Sequence, residues 1–370
     1  MKVPFADLKV QYHFLKEDMD KAIHRILDNT AFIGGKEVDD FQKNFENLYG
    51  VHNCIPAANG TDSLFIIMKM LGIGSGDEVI TPSNSWISSS ETITQTGAKP
   101  VFADIEEDYF TIDPKHIEKL ITDKTKAIMP VHLYGQMSDM DAIMKIAKKH
   151  NLFVIEDCAQ SHFSEFEGKR AGLFGNAGSF SFYPGKNLGA YGDAGAIITN
   201  DDDLAEKCKM YARHGALKKH EHNIEGINSR LDGLQAAVLN VKLPHIINWT
   251  EQRIQNAKLY DKYLAGIDEI TIPKVREESK HSFHLYVIRA ERRDELADFL
   301  KEQGVQNALH YPRILPNLPA YNYLNQKPKD FPIADAYEKQ ILSIPMYPEL
   351  TEEMIQYVVQ QIKIFYAKFR

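Results

Sequence analysis

Between residues 78 and 157 the chain repeats one unit, a short apolar run followed by a stretch whose apolar residues fall at helical spacing. The runs cover residues 78–82, 99–105, 125–133 and 152–157, and the helical stretches between them cover 86–94, 114–121 and 140–150. Runs that are apolar on both faces need cover on both faces, and the intervening helices are what can supply it. The pattern predicts a mostly parallel α/β sheet. Ligands of such sheets bind beyond the carboxyl ends of the strands. Asp157, Tyr134 and the turn Asn59-Gly60-Thr61 all fall at such ends.

The flanking segments extend this plan. Two amphipathic helical pieces precede it, around Leu15 to Leu27 and Val38 to Tyr49, with Gly34-Gly35 between them. A strand at 54–58 runs through Asn59-Gly60-Thr61-Asp62 into an apolar helix. A turn of small residues opening a helix exposes backbone N–H groups and suits an anion such as phosphate. The plain alternative is an N-cap by Thr61 or Asp62. After a strand at 195–200 and a helix at 202–213 comes a polar loop, residues 214–223, with His214, His220 and His222. No cysteine and no histidine pair at helical spacing accompanies them, so the loop reads as solvated rather than metal-binding. A helix from Asp232, bent near Pro244, leads to a segment of different style. It has a strand at 282–288, a helix at 292–303, a proline-rich loop and two closing helices. These features divide the chain into a large domain, 1–245, and a smaller α+β domain, 246–370.

A net charge of −8 gives no electrostatic case for nucleic acid or an acidic membrane. Cys54, Cys158 and Cys208 show no paired spacing, which predicts a reducing, cytoplasmic setting and no disulfide frame. The opening residues lack the apolar run of a signal peptide, and no run is long enough to cross a bilayer.

The stretch Gly178-Ser179-Phe180-Ser181-Phe182-Tyr183-Pro184-Gly185-Lys186 reads as a strand halted by Pro184-Gly185, with Lys186 on the bend. Gly189, Gly192 and Gly195 follow, and this scarcity of side chains predicts room for a ligand. A lysine projecting from a rigid bend suits Schiff-base chemistry, although most lysines are merely solvated. Pyridoxal 5'-phosphate needs such an amine, an acid at its ring nitrogen, donors for its phosphate and a flat group over its ring. Lys186, Asp157, the set Gly60, Thr61 and Ser181, and Trp86 supply these in turn. Each has a structural alternative: a helix cap for Asp157, a sheet filler for Ser181, a core anchor for Trp86. Burial beside a cationic ring predicts a lowered pKa for Lys186, which frees the amine to attack and to carry protons.

The same residues sit in motifs that closely resemble the DegT/DnrJ/StrS-type nucleotide-sugar aminotransferases, over nearly the whole chain. The motifs are Phe5-Ala6-Asp7-Leu8 with Gln11, Asn59-Gly60-Thr61-Asp62, Pro82-Ser83-Asn84-Ser85-Trp86, His132-Leu133-Tyr134-Gly135, Glu156-Asp157-Cys158-Ala159-Gln160, Ser179 to Leu188, Asn228-Ser229-Arg230-Leu231-Asp232 and His310-Tyr311-Pro312. The resemblance implies the aspartate-aminotransferase fold (pyridoxal-phosphate fold type I). It implies that Lys186 bonds the cofactor, that Asp157 pairs with its ring nitrogen and that Gln160 lies near its phenolic oxygen. It also implies a homodimer in which Asn228 reaches the neighbour's phosphate site. Tyr183, His310 and Tyr311 would surround the sugar, with Lys219 of the partner chain near the diphosphate.

A dehydratase branch of the family carries histidine where Lys186 stands, so lysine favours amino transfer. The loop from Tyr183 to Gly195 resembles members that aminate carbon 3 of a dTDP-linked 3-keto-6-deoxyhexose, with glutamate as donor. Members acting on carbon 4 of GDP-, UDP- or dTDP-linked sugars more often carry a histidine-containing loop followed by Gly-Glu-Gly, and Gly192-Asp193-Ala194 departs from that. Two further readings stay open at this point. One is sulfur transfer, for which Cys54 and Cys158 lie in apolar contexts that predict inert thiols. The other is a regulatory protein on the same fold.

Overall fold

The computed structural model describes residues 1–369. Five strands come first: β1 (Asn53–Ala57), β2 (Glu78–Pro82), β3 (Lys99–Ala103), β4 (Thr125–Ile128) and β5 (Phe153–Asp157). A short ribbon, β6 (Glu165–Phe166) and β7 (Lys169–Arg170), precedes β8 (Ala177–Ser181) and β9 (Gly195–Thr199). The central sheet has seven strands in the order β1-β9-β8-β5-β4-β2-β3. Its neighbours are parallel except where β9 runs antiparallel to both β1 and β8. No helix lies between β8 and β9, so the chain has no crossover with which to re-enter in parallel.

Helices cover both faces. Leu64 and Ile67 of α3 (Gly60–Met70), Ile93 of α4 (Ser88–Thr96) and Leu204 of α7 (Asp202–Tyr211) share a core with Ile55, Val79, Ile155 and Ile197 of the sheet. On the other face lie Leu15 and Met19 of α1 (Leu8–Asp28) and Phe41 and Phe45 of α2 (Lys36–Tyr49). Ile117 of α5 (Pro114–Leu120), Ile143 of α6 (Met140–His150) and Val238 of α8 (Gly233–Lys242) complete that layer. The α/β fold expected from the repeat is the one observed. Strands β2, β4 and β5 each contribute side chains to both layers, which is why their runs are apolar throughout rather than alternating.

A second core lies further along the chain. Helix α9 (Ile246–Leu264) follows a short turn at Leu243–His245, where Pro244 interrupts the regular helix. Helices α9, α10 (Arg293–Glu302) and α12 (Glu352–Ala367) pack on a three-stranded antiparallel sheet. That sheet joins β12 (Ile270–Thr271), β14 (Tyr286–Ala290) and β15 (Ile341–Ile344). Val3, which pairs with Val305, also packs into this core.

Four differences from the sequence reading stand out. Strand β15 follows α11 (Pro332–Glu338) where two consecutive helices were expected. The polar loop after α7 forms a small hairpin, β10 (Ala216–Lys218) with β11 (Glu221–His222). Residues Ser279–Lys280 add β13 to the β6-β7 ribbon. Helix α4 begins at Ser88, which leaves Trp86 in the preceding loop. Among the described residues, no helix is long and apolar enough to cross a membrane.

One buried carboxylate fixes the sheet end that matters most. Glu156 accepts hydrogen bonds from the backbone N–H groups of Gly172, Phe174 and Gly175 and from Nε2 of His132. His132 Nδ1 accepts from Ser138 N–H, so Nε2 carries the ring proton. His132, Glu156 and Cys158 stand close enough together to hold a metal ion. This hydrogen bonding instead commits both histidine nitrogens and both carboxylate oxygens, and a closed structural network results. It anchors the residue next to Asp157. Replacing Glu156 by Ala would orphan four buried donors, and the expected loss of unfolding free energy, measured in urea, is about 3–5 kcal/mol.

Candidate active site

A cavity of about 600 Å³ opens at the carboxyl ends of β5 and β8. Lys186, Asp157, Gly60, Thr61, Ser181, Trp86, Gln160, Tyr183, His310 and Tyr311 all line it. Lys219 and Asn228 do not. Lys219 is exposed between β10 and β11, and Asn228 is exposed in a bridge to Arg213.

The anion end of the cavity is built from backbone. Asn59, not Thr61 or Asp62, caps α3, and its side chain accepts from Asp62 N–H at 2.8 Å. Thr61 is thereby left to bond Ser88 at 2.8 Å, where α4 begins. Two helix N-termini therefore meet at one end of the cavity, each with N–H groups that lack an intrahelical acceptor. Close approach of chains makes this possible. A Cβ on Gly60 would lie 2.8 Å from Cβ of Ser181, and one on Gly195 would lie 2.4 Å from the carbonyl carbon of Asn59. The glycines after Lys186 thus serve a purpose other than the one expected. Cβ atoms on Gly189 and Gly192 would strike Pro184 O and Gln235 Nε2, and none of Gly189, Gly192 and Gly195 lines the cavity, whereas Gly185, just before the lysine, does.

Asp157 is only 5% exposed. Its Oδ2 accepts from Ser89 at 2.8 Å and its Oδ1 from Ala159 N–H at 3.1 Å. Burial raises its pKa, while these hydrogen bonds and Lys186 pull it down. Burial lowers the Lys186 pKa to about 8 against the opposing pull of Asp157. The lysine is held in a tight turn by its own N–H bonding Tyr183 O. Further on, the buried Lys242 donates to Gly189 O at 2.7 Å and sits over the ring of Tyr191, tying down the loop.

Gln160 accepts from Tyr134 N–H at 2.7 Å and donates to the Tyr311 hydroxyl at 3.0 Å. Tyr311 in turn lies 5.6 Å from the Trp86 ring, centroid to centroid. Trp86 and Tyr183, 58% and 59% exposed, stand at the mouth. His310 bonds Ser343 at 2.8 Å, and burial lowers its pKa to about 4, so it is neutral near pH 7. Several groups escaped sequence reasoning. Ser89, at the start of α4 and bonded to Ser85 at 2.8 Å, is one serine among several in residues 83–90 and carries no signal of its own. His284 and Arg253, which also line the cavity, lie far from the glycine loop in sequence, and no local pattern marks them.

This donor set fits pyridoxal phosphate. A buried carboxylate, a half-buried amine, a backbone anion cradle and aromatic walls surround one space, and the Gly60 approach leaves no room for a side chain in the cradle. The class of protein so defined is a pyridoxal-phosphate enzyme.

Residues 14–363 match the DegT/DnrJ/EryC1/StrS aminotransferase family, and the chain belongs to it. It is 46% identical, over 100% of both chains, to a "Pleiotropic regulatory protein" of Geobacillus stearothermophilus. It is 42% identical to the dTDP-3-amino-3,6-dideoxy-alpha-D-galactopyranose transaminase of Aneurinibacillus thermoaerophilus, over 97% of this chain and 98% of that one. The crystal structure of S. venezuelae DesV in complex with a ketimine intermediate superposes with a TM-score of 0.96 at 39% identity, over 98% of each chain. The cofactor of this family is pyridoxal phosphate, and neighbours have been solved with its amino form.

Two measurements probe the site. Gly60→Ala should weaken cofactor retention by roughly tenfold, read as release of cofactor absorbance on dialysis, because the cradle must shift to admit the methyl group. An amine with a lowered pKa is more often unprotonated at neutral pH. Loading of cofactor-free chain with pyridoxal phosphate should therefore quicken with rising pH about a midpoint near 8, well below the 10.5 of an ordinary lysine.

Proposed function

We propose that this chain transfers an amino group from glutamate to carbon 3 of a dTDP-linked 3-keto-6-deoxyhexose. The observation that carries the reading is the meeting of Lys186, Asp157 and the Gly60-Thr61 cradle in one cavity. The carbon-3 assignment draws on the relatives. Besides the 42% identical transaminase, a Streptomyces venezuelae relative is named dTDP-3-amino-3,4,6-trideoxy-alpha-D-glucose transaminase, at 39% identity.

Pyridoxal phosphate, when bound, supplies an aldehyde that takes up an amine and a ring that accepts the electrons of a broken C–H bond. Gly60, Thr61 and Ser181 hold the phosphate through N–H and hydroxyl donors. Asp157, itself oriented by Ser89 and Ala159, keeps the ring nitrogen protonated. Gln160 and Trp86 border the ring. Lys186 Nζ, neutral for part of the time near pH 8, holds the cofactor between turnovers and moves the proton at the substrate carbon. Tyr183, His310 and Tyr311 contact the sugar. His310, kept neutral by burial, offers a hydrogen bond without adding a cation.

The working unit we propose is a homodimer, with Asn228 reaching the partner's phosphate site and Lys219 the partner's diphosphate site. Their exposure, and their absence from the cavity of their own chain, support this. Exposed Phe14, Phe32 and Ile33 supply apolar surface for the contact. We place the enzyme in the cytoplasm, where nucleotide sugars are made, and divide it into domains at residue 245.

The name of the 46% identical relative favours a second reading, a regulatory protein on this fold. The complete set of lysine, acid and cradle weighs against it. Sulfur transfer is disfavoured too, because Cys54 and Cys158 are buried and burial pushes their thiols well above the usual range.

Incubation with glutamate and a panel of dTDP-, GDP- and UDP-linked keto-sugars, read by mass and NMR, should yield an amine at carbon 3 of a dTDP sugar. Lys186→Ala should lower turnover by roughly 10⁴-fold and remove the absorbance of the lysine-bound cofactor. Amination at carbon 4 would refute the substrate, and exchange with no sugar would favour the regulatory reading.

A further inference from the structure

The residue after Lys186 is gripped by a distant part of the chain. Asn187 is 4% exposed, and its Nδ2 donates to Ser282 O at 3.2 Å. A carbonyl oxygen only accepts, so the amide turns its Oδ1 the other way, where Nδ1 of His284 lies 3.1 Å from it. That amide oxygen only accepts as well, so Nδ1 of His284 carries a ring proton. Burial drives the ring neutral, and of the charges that act on it that of Lys186 weighs most. Nε2 is therefore unprotonated, and the ring stands in the wall of the cavity.

Both partners of Asn187 sit on a rigid post. Ser282 N–H bonds Gly135 O at 3.1 Å, and Leu285 N–H bonds Tyr134 O at 3.2 Å. Ser164 Oγ bonds Gly135 O and Ser282 Oγ, each at 2.8 Å. Arg253 Nη1 donates to the carbonyls of Phe283 and His284 at 3.1 and 3.4 Å. A Cβ on Gly135 would lie 2.7 Å from Ser282 Oγ, so the two segments touch directly. The bend that carries the lysine is tied differently. Lys186 N–H bonds Tyr183 O and Ala190 N–H bonds Phe182 O, and both of these bonds stay inside residues 182–190. Asn187 ties the bend outward to the post, one residue from the amine.

We propose that His284 positions Lys186: by donating from Nδ1 to Asn187 it fixes the backbone next to the lysine and so sets where Nζ stands in the cavity. This inference rests on the pyridoxal-phosphate reading above. His284 acts through Asn187 and is a positioning residue. A packing role would leave a different signature. A ring that merely fills space is best replaced by another ring, whereas a donor at Nδ1 is best replaced by a short amide, whose Nδ2 reaches the same place.

The test is uptake by the full-length chain, freed of cofactor and then given pyridoxal phosphate or its amino form, pyridoxamine phosphate. Capture of the first needs Nζ and is followed by absorbance. Binding of the second needs only the rest of the site and is measured by calorimetry. His284→Phe should slow capture of pyridoxal phosphate by roughly tenfold and leave affinity for pyridoxamine phosphate within about twofold. His284→Asn should restore capture to within about threefold of the wild-type rate. Near-UV circular dichroism reports folding. If the Phe variant does not fold, Asn187→Leu, which removes both side-chain bonds at similar volume, decides with the same expectation. Capture at the wild-type rate in the folded variant overturns the proposal. So does a Phe variant that captures faster than the Asn variant, or a loss that falls equally on the two forms of the cofactor. A wild-type chain that captures no pyridoxal phosphate refutes the reading of the site instead. Normal capture by wild type and Phe variant alike removes only this inference.

Discussion

The site depends first on the pairing of β5 with β8. Their parallel register sets Asp157 beside Ser179, so the acid and the bend that carries Lys186 leave the sheet at the same edge. A slip of one residue in that register would turn Asp157 toward the opposite face and bury it under the wrong helices. The network around Glu156 holds the register from behind, because it ties β5 to the backbone of residues 172–175, just before β8 begins. The chemistry therefore rests on a carboxylate that never meets substrate.

Electrostatics around that edge follow one rule. Burial pushes Asp157 up and Lys186 down, and each partly offsets the effect on the other. The histidines nearby are driven neutral, which leaves Lys186 and Arg253 as the cationic side chains lining the cavity among the described residues. Asp157 and Asp193 line the same cavity, so the two cations share it with two carboxyl groups.

Much of this was legible in the sequence where the signal is local. The alternation of runs and helices between 78 and 157 exposed the parallel sheet, because strands buried on both faces admit few polar residues. Asp157 and the Asn59 turn were legible because strand ends are where such sheets bind ligands. Boundaries were less so. Trp86 reads as helical, but the serines after it start the helix later. Strand β15 escaped because four residues before a proline carry almost no periodicity. Arg253 and His162 escaped for a different reason. Arg253 reaches the cavity only through packing of α9, and His162 does not line it but packs on Phe180 and Phe182 behind it, and sequence spacing encodes neither. The glycines after Lys186 were legible as important but for the wrong cause: they admit backbone and a neighbouring glutamine rather than ligand.

The reversed strand has a consequence for the cradle. Strand β9 lies between β1 and β8, and its first residue, Gly195, is in contact with Asn59, which caps the cradle. The turn Asn59-Gly60-Thr61 is thus packed against a strand more than a hundred positions away in the chain. A chain in which β9 has not joined the sheet lacks that turn's packing, and with it the site proposed above for the vitamin-derived group.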